Sequence, residues 1–201
     1  MKVLLINGSP HEKGCTYTAL SLIAGELKAQ GIETEILHVG GQPVGGCIGC
    51  GGCRSGNGCV FGGVVNEAIE KAKTADAFVF GSPVHYASAA GNMASFMDRL
   101  AYAGGKYLAY KPAAICCSAR RAGTTSTLDQ LVKYPQFFHM PLVNGSYWAM
   151  VHGSNPEQVL QDAEGCAVMQ ELGRNMAWLL RCIEAGKAAG IDHPPVSYTH
   201  L

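Results

Sequence analysis

Nothing in this sequence approaches the ~18 consecutive apolar residues that a bilayer-spanning helix needs. The opening run, MKVLLINGSP, reaches a Gly-Ser-Pro turn too early for a secretory leader, so a cytoplasmic location is expected. An excess of one charge is also missing. Fifteen Lys and Arg balance fifteen Asp and Glu, which leaves no electrostatic case for nucleic acid or an anionic membrane surface as partner. Charged residues make up only 15% of the chain against 48% hydrophobic ones, a mixture that argues for a packed core and against disorder. Missing too are the G-x-G-x-x-G fingerprint, the G-x-x-x-x-G-K-[ST] loop, an H-E-x-x-H pair and paired catalytic carboxylates. Those absences disfavour a nicotinamide-binding Rossmann domain, a nucleoside triphosphatase and the common hydrolases.

What is present is an alternation of short apolar runs and amphipathic stretches. Lys2 to Ile6, Ile32 to Val39, Ala77 to Phe80, Ala113 to Cys117 and Leu142 to Met150 read as strands. Between them Leu20, Ile23, Ala24 and Leu27, then Val64, Val65, Ala68, Ile69 and Ala72, then Met93, Phe96, Met97 and Leu100 mark helices. Leu128 and Leu131 mark a short helix that Pro135 is expected to close. Asn155, Pro156 and Gln158 open a last helix with a cap, a proline in its first turn and a reach back to the cap. Its buried stripe is Leu172, Met176, Leu179, Leu180 and Ile183. Five strands separated by helices predict an α/β fold, a doubly wound five-stranded parallel sheet with helices on both faces. Residues 1–192 suit a single domain. The tail 193–201, HPPVSYTHL, follows a Pro-Pro break and is expected to be disordered or non-native.

Three loops at strand ends carry the polar chemistry. Asn7 to Thr18, NGSPHEKGCTYT, lies between a buried strand and a helix start, where backbone N–H groups and the helix dipole favour an anion. Ser9, Thr16 and Thr18 add hydroxyls, and His11 and Lys13 add positive charge. The plainer reading is a Gly/Ser turn that only caps a helix. The second loop is Gly81 to Ser88, GSPVHYAS, and the third Ser118 to Thr125, SARRAGTT. In an open α/β sheet, ligands bind outside the carboxyl ends of the strands, so the three loops are expected to converge on one crevice.

Together NGSPHEKGCT, GSPVHYAS with GNMASFMDR, and SARRAGTT resemble the NADPH-dependent FMN reductase and iron–sulfur flavoprotein superfamily, over roughly residues 1 to 190. The resemblance implies a flavodoxin-like fold. It places Ser9, Thr16, Tyr17 and Thr18 on the FMN phosphate, with His11, Lys13 and Cys15 beside it. Position 15 is a cysteine where many relatives carry asparagine. Pro83, Val84, His85 and Tyr86 would lie along the isoalloxazine, and Ser118, Arg120, Arg121 and Gly123 at its pyrimidine or ribityl side. His85 and Arg120 are the catalytic candidates: a hydrogen-bond or proton donor, and a positive charge near the flavin N1–O2 edge. The implied activity is oxidation of NAD(P)H through FMN, with electrons passed to a quinone, an azo or nitro compound, or free flavin. A homodimer or homotetramer is implied as well.

Cys47, Cys50, Cys53 and Cys59 form a C-x2-C-x2-C-x5-C run in a glycine-rich loop. Such a run can wrap one cubane face and close its fourth corner, and it resembles the cluster motif of iron–sulfur flavoproteins, which carry a [4Fe–4S] cluster beside FMN. A carrier of this kind would exchange electrons with ferredoxin-like partners. Zinc and plain reduced thiols remain the other readings. Cys116 and Cys117 read as inert core residues. Tyr147, Trp148, Met150 and His152 are a substrate-pocket candidate, more often core or subunit interface.

Overall fold

The computed structural model describes residues 1–196. Five strands run parallel: β1 (Lys2–Asn7), β2 (Glu33–His38), β3 (Ala77–His85), β5 (Ala113–Ala119) and β6 (Met150–His152), in the order β2-β1-β3-β5-β6. A two-residue strand, β4 (Ser88–Ala89), folds back antiparallel on the end of β3. Leaving β4 aside, the order is 2-1-3-4-5, the flavodoxin-like doubly wound arrangement whose switch point lies between the first and third strands. Beyond that point the Gly8 N–H donates to the Gly81 carbonyl at 2.9 Å, tying the two outgoing loops together.

Period-2 alternation explains the two layers. Leu4, Ile6, Phe78, Phe80 and Ile115 face α2 (Val64–Thr74), α3 (Gly91–Gly104) and α4 (Thr124–Phe137). Val3, Leu5, Val79, Ala114 and Cys116 face α1 (Cys15–Ala29) and α6 (Ala163–Ala188). Because both faces are covered, the central strands carry no polar alternation. Helix α1 stops where Gly31, at φ 76°, lets the Ile32 N–H reach back to Leu27 O at 3.0 Å and its own N–H reach Lys28 O at 2.9 Å, a Schellman ending.

Four expectations need correction. Strand β3 continues through Gly81-Ser82-Pro83 to His85 instead of stopping at Phe80. Proline 83 is tolerated because its nitrogen faces the β1 side, where the ladder has already ended at Asn7–Gly81. Pro135 does not close α4, which runs two residues further. The fifth strand is only Met150–His152; Leu142 makes an isolated bridge to Ala113 and the residues between bulge outward. Asn155 accepts from the Gln158 N–H at 2.9 Å as expected, yet it opens only the short α5 (Pro156–Gln161). Asp162 then starts α6 afresh, accepting the Gly165 N–H on one oxygen and the His152 N–H on the other, at 2.9 and 2.8 Å. Of the tail, His193 stacks on Tyr110 with centroids 4.6 Å apart, and residues 197–201 lie outside the described part.

A small ion network joins β1, β2 and α2: Lys2 lies 2.7 Å and Lys71 2.6 Å from the Glu35 carboxylate. Lys2 first, then Lys71, hold that carboxyl below its ordinary value. A carboxyl with a depressed folded-state value contributes stability that is fully present above the ordinary range and fades as pH falls through the lowered one. Partial exposure, 31% for the Glu35 side chain, limits this to about 0.5 kcal/mol. Glu35→Gln should therefore remove a small part of the acid-side slope of thermal stability, and a small part of the alkaline slope as well, because Lys2 and Lys71 lose the partner that raises them, as read by melting curves across pH.

Candidate functional site

Helix α1 begins without a side-chain cap and without an acidic residue in its first turn. Among the described residues the N–H groups of Cys15, Thr16 and Tyr17 find no acceptor, whereas Thr18 N–H reaches Gly14 O at 3.0 Å. Three free donors at the positive end of a fifteen-residue helix suit an anion. The loop before it is braced from within. Asn7 accepts the Ser9 N–H at 3.1 Å and donates to Glu12 O at 2.9 Å, and the Ser9 hydroxyl accepts the His11 N–H at 3.1 Å, leaving its own proton unengaged. His38, at the end of β2, lies with Nε2 2.7 Å from Ser9 O. A carbonyl only accepts, so Nε2 carries the proton.

The hydroxyls expected on a phosphate divide into two groups. Ser9 stays available. Thr18 is turned back, donating to Gly14 O at 3.2 Å, and Thr16 is buried with its hydroxyl 2.8 Å from that of Ser118. Cys15, the odd residue, points its thiol toward Gly153 O at 3.6 Å, and burial pushes that thiol up from its usual range. Tyr17 is half-buried; His11 and Lys13 are exposed, and Lys13 makes no ion pair among the described residues.

The Thr16–Ser118 bond is also what joins the first loop to the third. Pro83 pairs with Ser118 in the β3–β5 ladder, which brings in the second. At the tip of the β3–β4 hairpin, Tyr86 and Ala87 both hold left-handed backbone, φ 50° and 58°. This is the conformation of a two-residue hairpin turn usually given to Asn-Gly, and in a tyrosine it stores strain. The tip is held from α4: the Gln130 side chain accepts from Ser88 Oγ at 2.7 Å and from the Ala89 N–H at 2.9 Å, and Ser126 donates to Ala87 O at 2.7 Å. Gly123, at φ 87°, lets the chain pass so close that a Cβ there would stand 2.6 Å from Ala87 Cα. Tyr86 is consequently fully exposed, with His85 exposed beside it and Val84 half-buried. Arg120 and Arg121 leave β5 at the same end, exposed and without ion pairs among the described residues.

The cysteine loop lies beyond this crevice. Cys47 and Cys50 are exposed, Cys53 and Cys59 half-buried. Cys59 is held by Arg99 of α3, whose Nε donates to its sulfur at 3.2 Å while the same guanidinium donates to Gly62 O at 3.0 Å and Gly45 O at 3.4 Å. Arg99 is 6% exposed and has no carboxylate partner among the described residues. Four thiols in one loop, one of them against a buried cation, have the right chemistry for an anionic sulfur-ligated metal. The arrangement does not fit it: among the described residues no three His, Cys, Asp or Glu side chains come close enough to hold a metal ion. Cys116 and Cys117 are buried as expected, the Cys117 thiol pushed up to about 12 by burial. Among the described residues no helix is long and apolar enough to cross a membrane.

Residues 1–155 match the sequence profile of the NADPH-dependent FMN reductases. The chain belongs to that family. It is 27% identical over 192 residues to an iron–sulfur flavoprotein of Methanocaldococcus jannaschii, covering 92% of this chain and all of the relative. In fold it resembles RosB, solved with 8-demethyl-8-formylriboflavin-5'-phosphate bound, with a TM-score of 0.72, 13% identity, and coverage of 100% of this chain and 91% of that one. It also resembles an archaeal flavodoxin, with a TM-score of 0.60, 14% identity, and coverage of 90% and 99%. Sequence reading missed His38, Arg99 and Gln130. Each acts across the fold on a backbone atom or a sulfur, and no local spacing marks such a role.

Proposed function

We propose that this family member is an FMN-dependent NAD(P)H oxidoreductase that passes electrons to a small acceptor such as a quinone, an azo or nitro compound or free flavin. The observation that carries the reading is the uncapped start of α1, with three unpaired N–H groups beside two loops pinned to the same end of the sheet. The flavin, when bound, takes up hydride and releases electrons singly or in pairs. The chain's own residues do the rest. The N–H groups of Cys15, Thr16 and Tyr17 with the Ser9 hydroxyl hold the phosphate, aided by Lys13 and His11. The hairpin from Pro83 to Tyr86 supports the ring, and Arg120 and Arg121 bring positive charge from the β5 end. His85 presents a donor to the acceptor substrate. A cytoplasmic homodimer or homotetramer is part of the same proposal. Purified protein loaded with FMN should oxidise NADH or NADPH in the presence of a quinone; absence of flavin bleaching by either nicotinamide would refute it.

A second reading rests on the relatives' name, iron–sulfur flavoprotein, and on the four-cysteine loop: an electron carrier with ferredoxin-like partners, whose [4Fe–4S] cluster would require Cys47, Cys50, Cys53 and Cys59 to draw together from the spread arrangement described above. Anaerobically purified protein would then carry iron and sulfide at about four per chain, and Cys50→Ser would lose them.

Gln130→Leu tests the hairpin brace. The side chain keeps its volume and loses the acceptor for two donors, so FMN should bind about tenfold more weakly, equivalent to ~1.4 kcal/mol. Quenching of flavin fluorescence measures it, and an unchanged dissociation constant would show that the tip needs no brace.

A further inference from the structure

Strand β6 and the segment before it fail to keep step with β5. Ala113 bridges Leu142 and Cys117 pairs with Met150, so four residue steps on one side face eight on the other. The ladder closes at Ala113, whose N–H reaches Pro141 O at 2.9 Å and whose carbonyl accepts the Val143 N–H at 2.8 Å. It closes again at Cys117, whose N–H reaches Ala149 O at 3.0 Å. Alternate residues of a strand turn their N–H and C=O to the same edge, so Ile115 faces this edge as well. Among the described residues no hydrogen bond closes on it there. Ile115 is 8% exposed, and a buried, unpaired backbone donor and acceptor side by side are costly.

The space they face is a cavity of about 520 Å³ between α4 and the bulge, lined by Ile115, Leu128, Val132, Tyr147, Trp148 and Asp129 among others. That is a size that small-molecule sites use. The bulge is held away from the sheet by α6: Glu171 accepts the Ser146 N–H at 2.7 Å and Asn175 donates to Asn144 O at 2.8 Å. Tyr147 and Trp148, in edge contact with centroids 4.7 Å apart, are about half exposed. None of the flavin-loop residues 9–18, 83–87 or 118–123 lines the space.

We propose that this cavity is a second small-molecule site, for a planar heteroaromatic compound whose cis-amide edge, as in a lactam, exchanges two hydrogen bonds with the Ile115 backbone while its ring lies against Trp148 and Tyr147. A cis-amide presents N–H and C=O on one edge, the complement of one extended residue, as in a hydrogen-bonded antiparallel pair. The apolar walls on α4 exclude flexible polar ligands, and Asp129 at the margin, without a partner among the described residues, favours a ligand that carries a further donor.

The test uses the full chain, ¹⁵N-labelled, with 2-quinolone and its N-methyl derivative as probes. In the free protein the Ile115 amide should exchange with solvent faster than those of Ala113 and Cys117. The lactam should bind saturably, shift the Ile115 amide and slow its exchange, and the N-methyl compound should bind at least about tenfold more weakly. Trp148→Ala should weaken the lactam, and Val132→Trp, which fills the space from the other wall, should abolish binding. Equal affinity for both probes would reduce the cavity to an unselective apolar hollow. No saturable binding, an Ile115 amide as protected as its neighbours, or a second copy of the chain covering Trp148 in solution would each overturn the proposal.

Discussion

Gly40→Ala should cost the protein its flavin. The glycine follows β2 and passes directly over the first loop: a Cβ there would stand 2.1 Å from Ser9 O, 2.4 Å from Ser9 C and 2.6 Å from Gly8 O. These are backbone atoms, so no rotamer change relieves the overlap, and the backbone from Gly8 to Pro10 must move, the Ser9–Pro10 peptide most of all. That stretch sets the position of the Ser9 hydroxyl and is tied to β3 through the Gly8 N–H and to β2 through His38 on Ser9 O. A shift of a few tenths of an ångström would misalign the loop with the α1 donors. FMN affinity should fall by about a hundredfold, equivalent to ~2.7 kcal/mol. Gly25 is the matched control. It is exposed inside α1 with nothing within 4 Å of a Cβ, and Gly25→Ala should stabilise the fold by about 0.5–1 kcal/mol with flavin binding unchanged. Fluorescence titration and melting curves read both variants. If Gly40→Ala bound FMN like the parent, the close passage over Ser9 would have no bearing on the site.

The sheet and its helices were legible because burial on both faces leaves a plain mark. Val3 to Ile6 and Ala113 to Cys117 are apolar without interruption, and the helices between them keep one stripe each. The convergence of the three loops was legible for a related reason: strand ends sharing one edge of a parallel sheet must share a crevice. What was not legible depends on pairing at long range. LVNGSYWAM reads as a strand, whereas its backbone is bonded to Glu171 and Asn175 of α6 and stands off the sheet as a bulge. Gly-Ser-Pro reads as a strand stop, because sequence does not show that β1 ends where Pro83 would have needed a partner. Thr16 is a phosphate-ligand candidate by position, and the contact of its hydroxyl with Ser118 follows from the β3–β5 register, which no local pattern carries.

Arg99→Met should release the cysteine loop. The arginine sits 6% exposed on α3 and spends its donors on one sulfur and two carbonyls that lie at opposite ends of the segment, Gly45 on one side and Cys59 and Gly62 on the other. The ring of Phe61, 5.6 Å from the guanidinium carbon, covers it. Hydrogen bonds from a charged donor contribute about 1.5–3 kcal/mol each, offset in part by the desolvation cost of the buried charge. A net loss of ~2 kcal/mol in holding the segment closed corresponds to about thirtyfold more frequent opening. Methionine preserves much of the volume, so α3 should keep its packing and the melting temperature should fall by only a few degrees. The readout is thiol alkylation followed by mass spectrometry. Cys59, half-buried and held, should react about thirtyfold faster in the variant, while the already exposed Cys47 and Cys50 change little and serve as internal standards. Arg99→Lys should behave like the methionine variant, because an ammonium keeps the charge but cannot span three acceptors with one planar fork. Equal Cys59 reactivity in all three proteins would mean that the loop closes on its own glycine turns, and that the buried guanidinium is a passenger there.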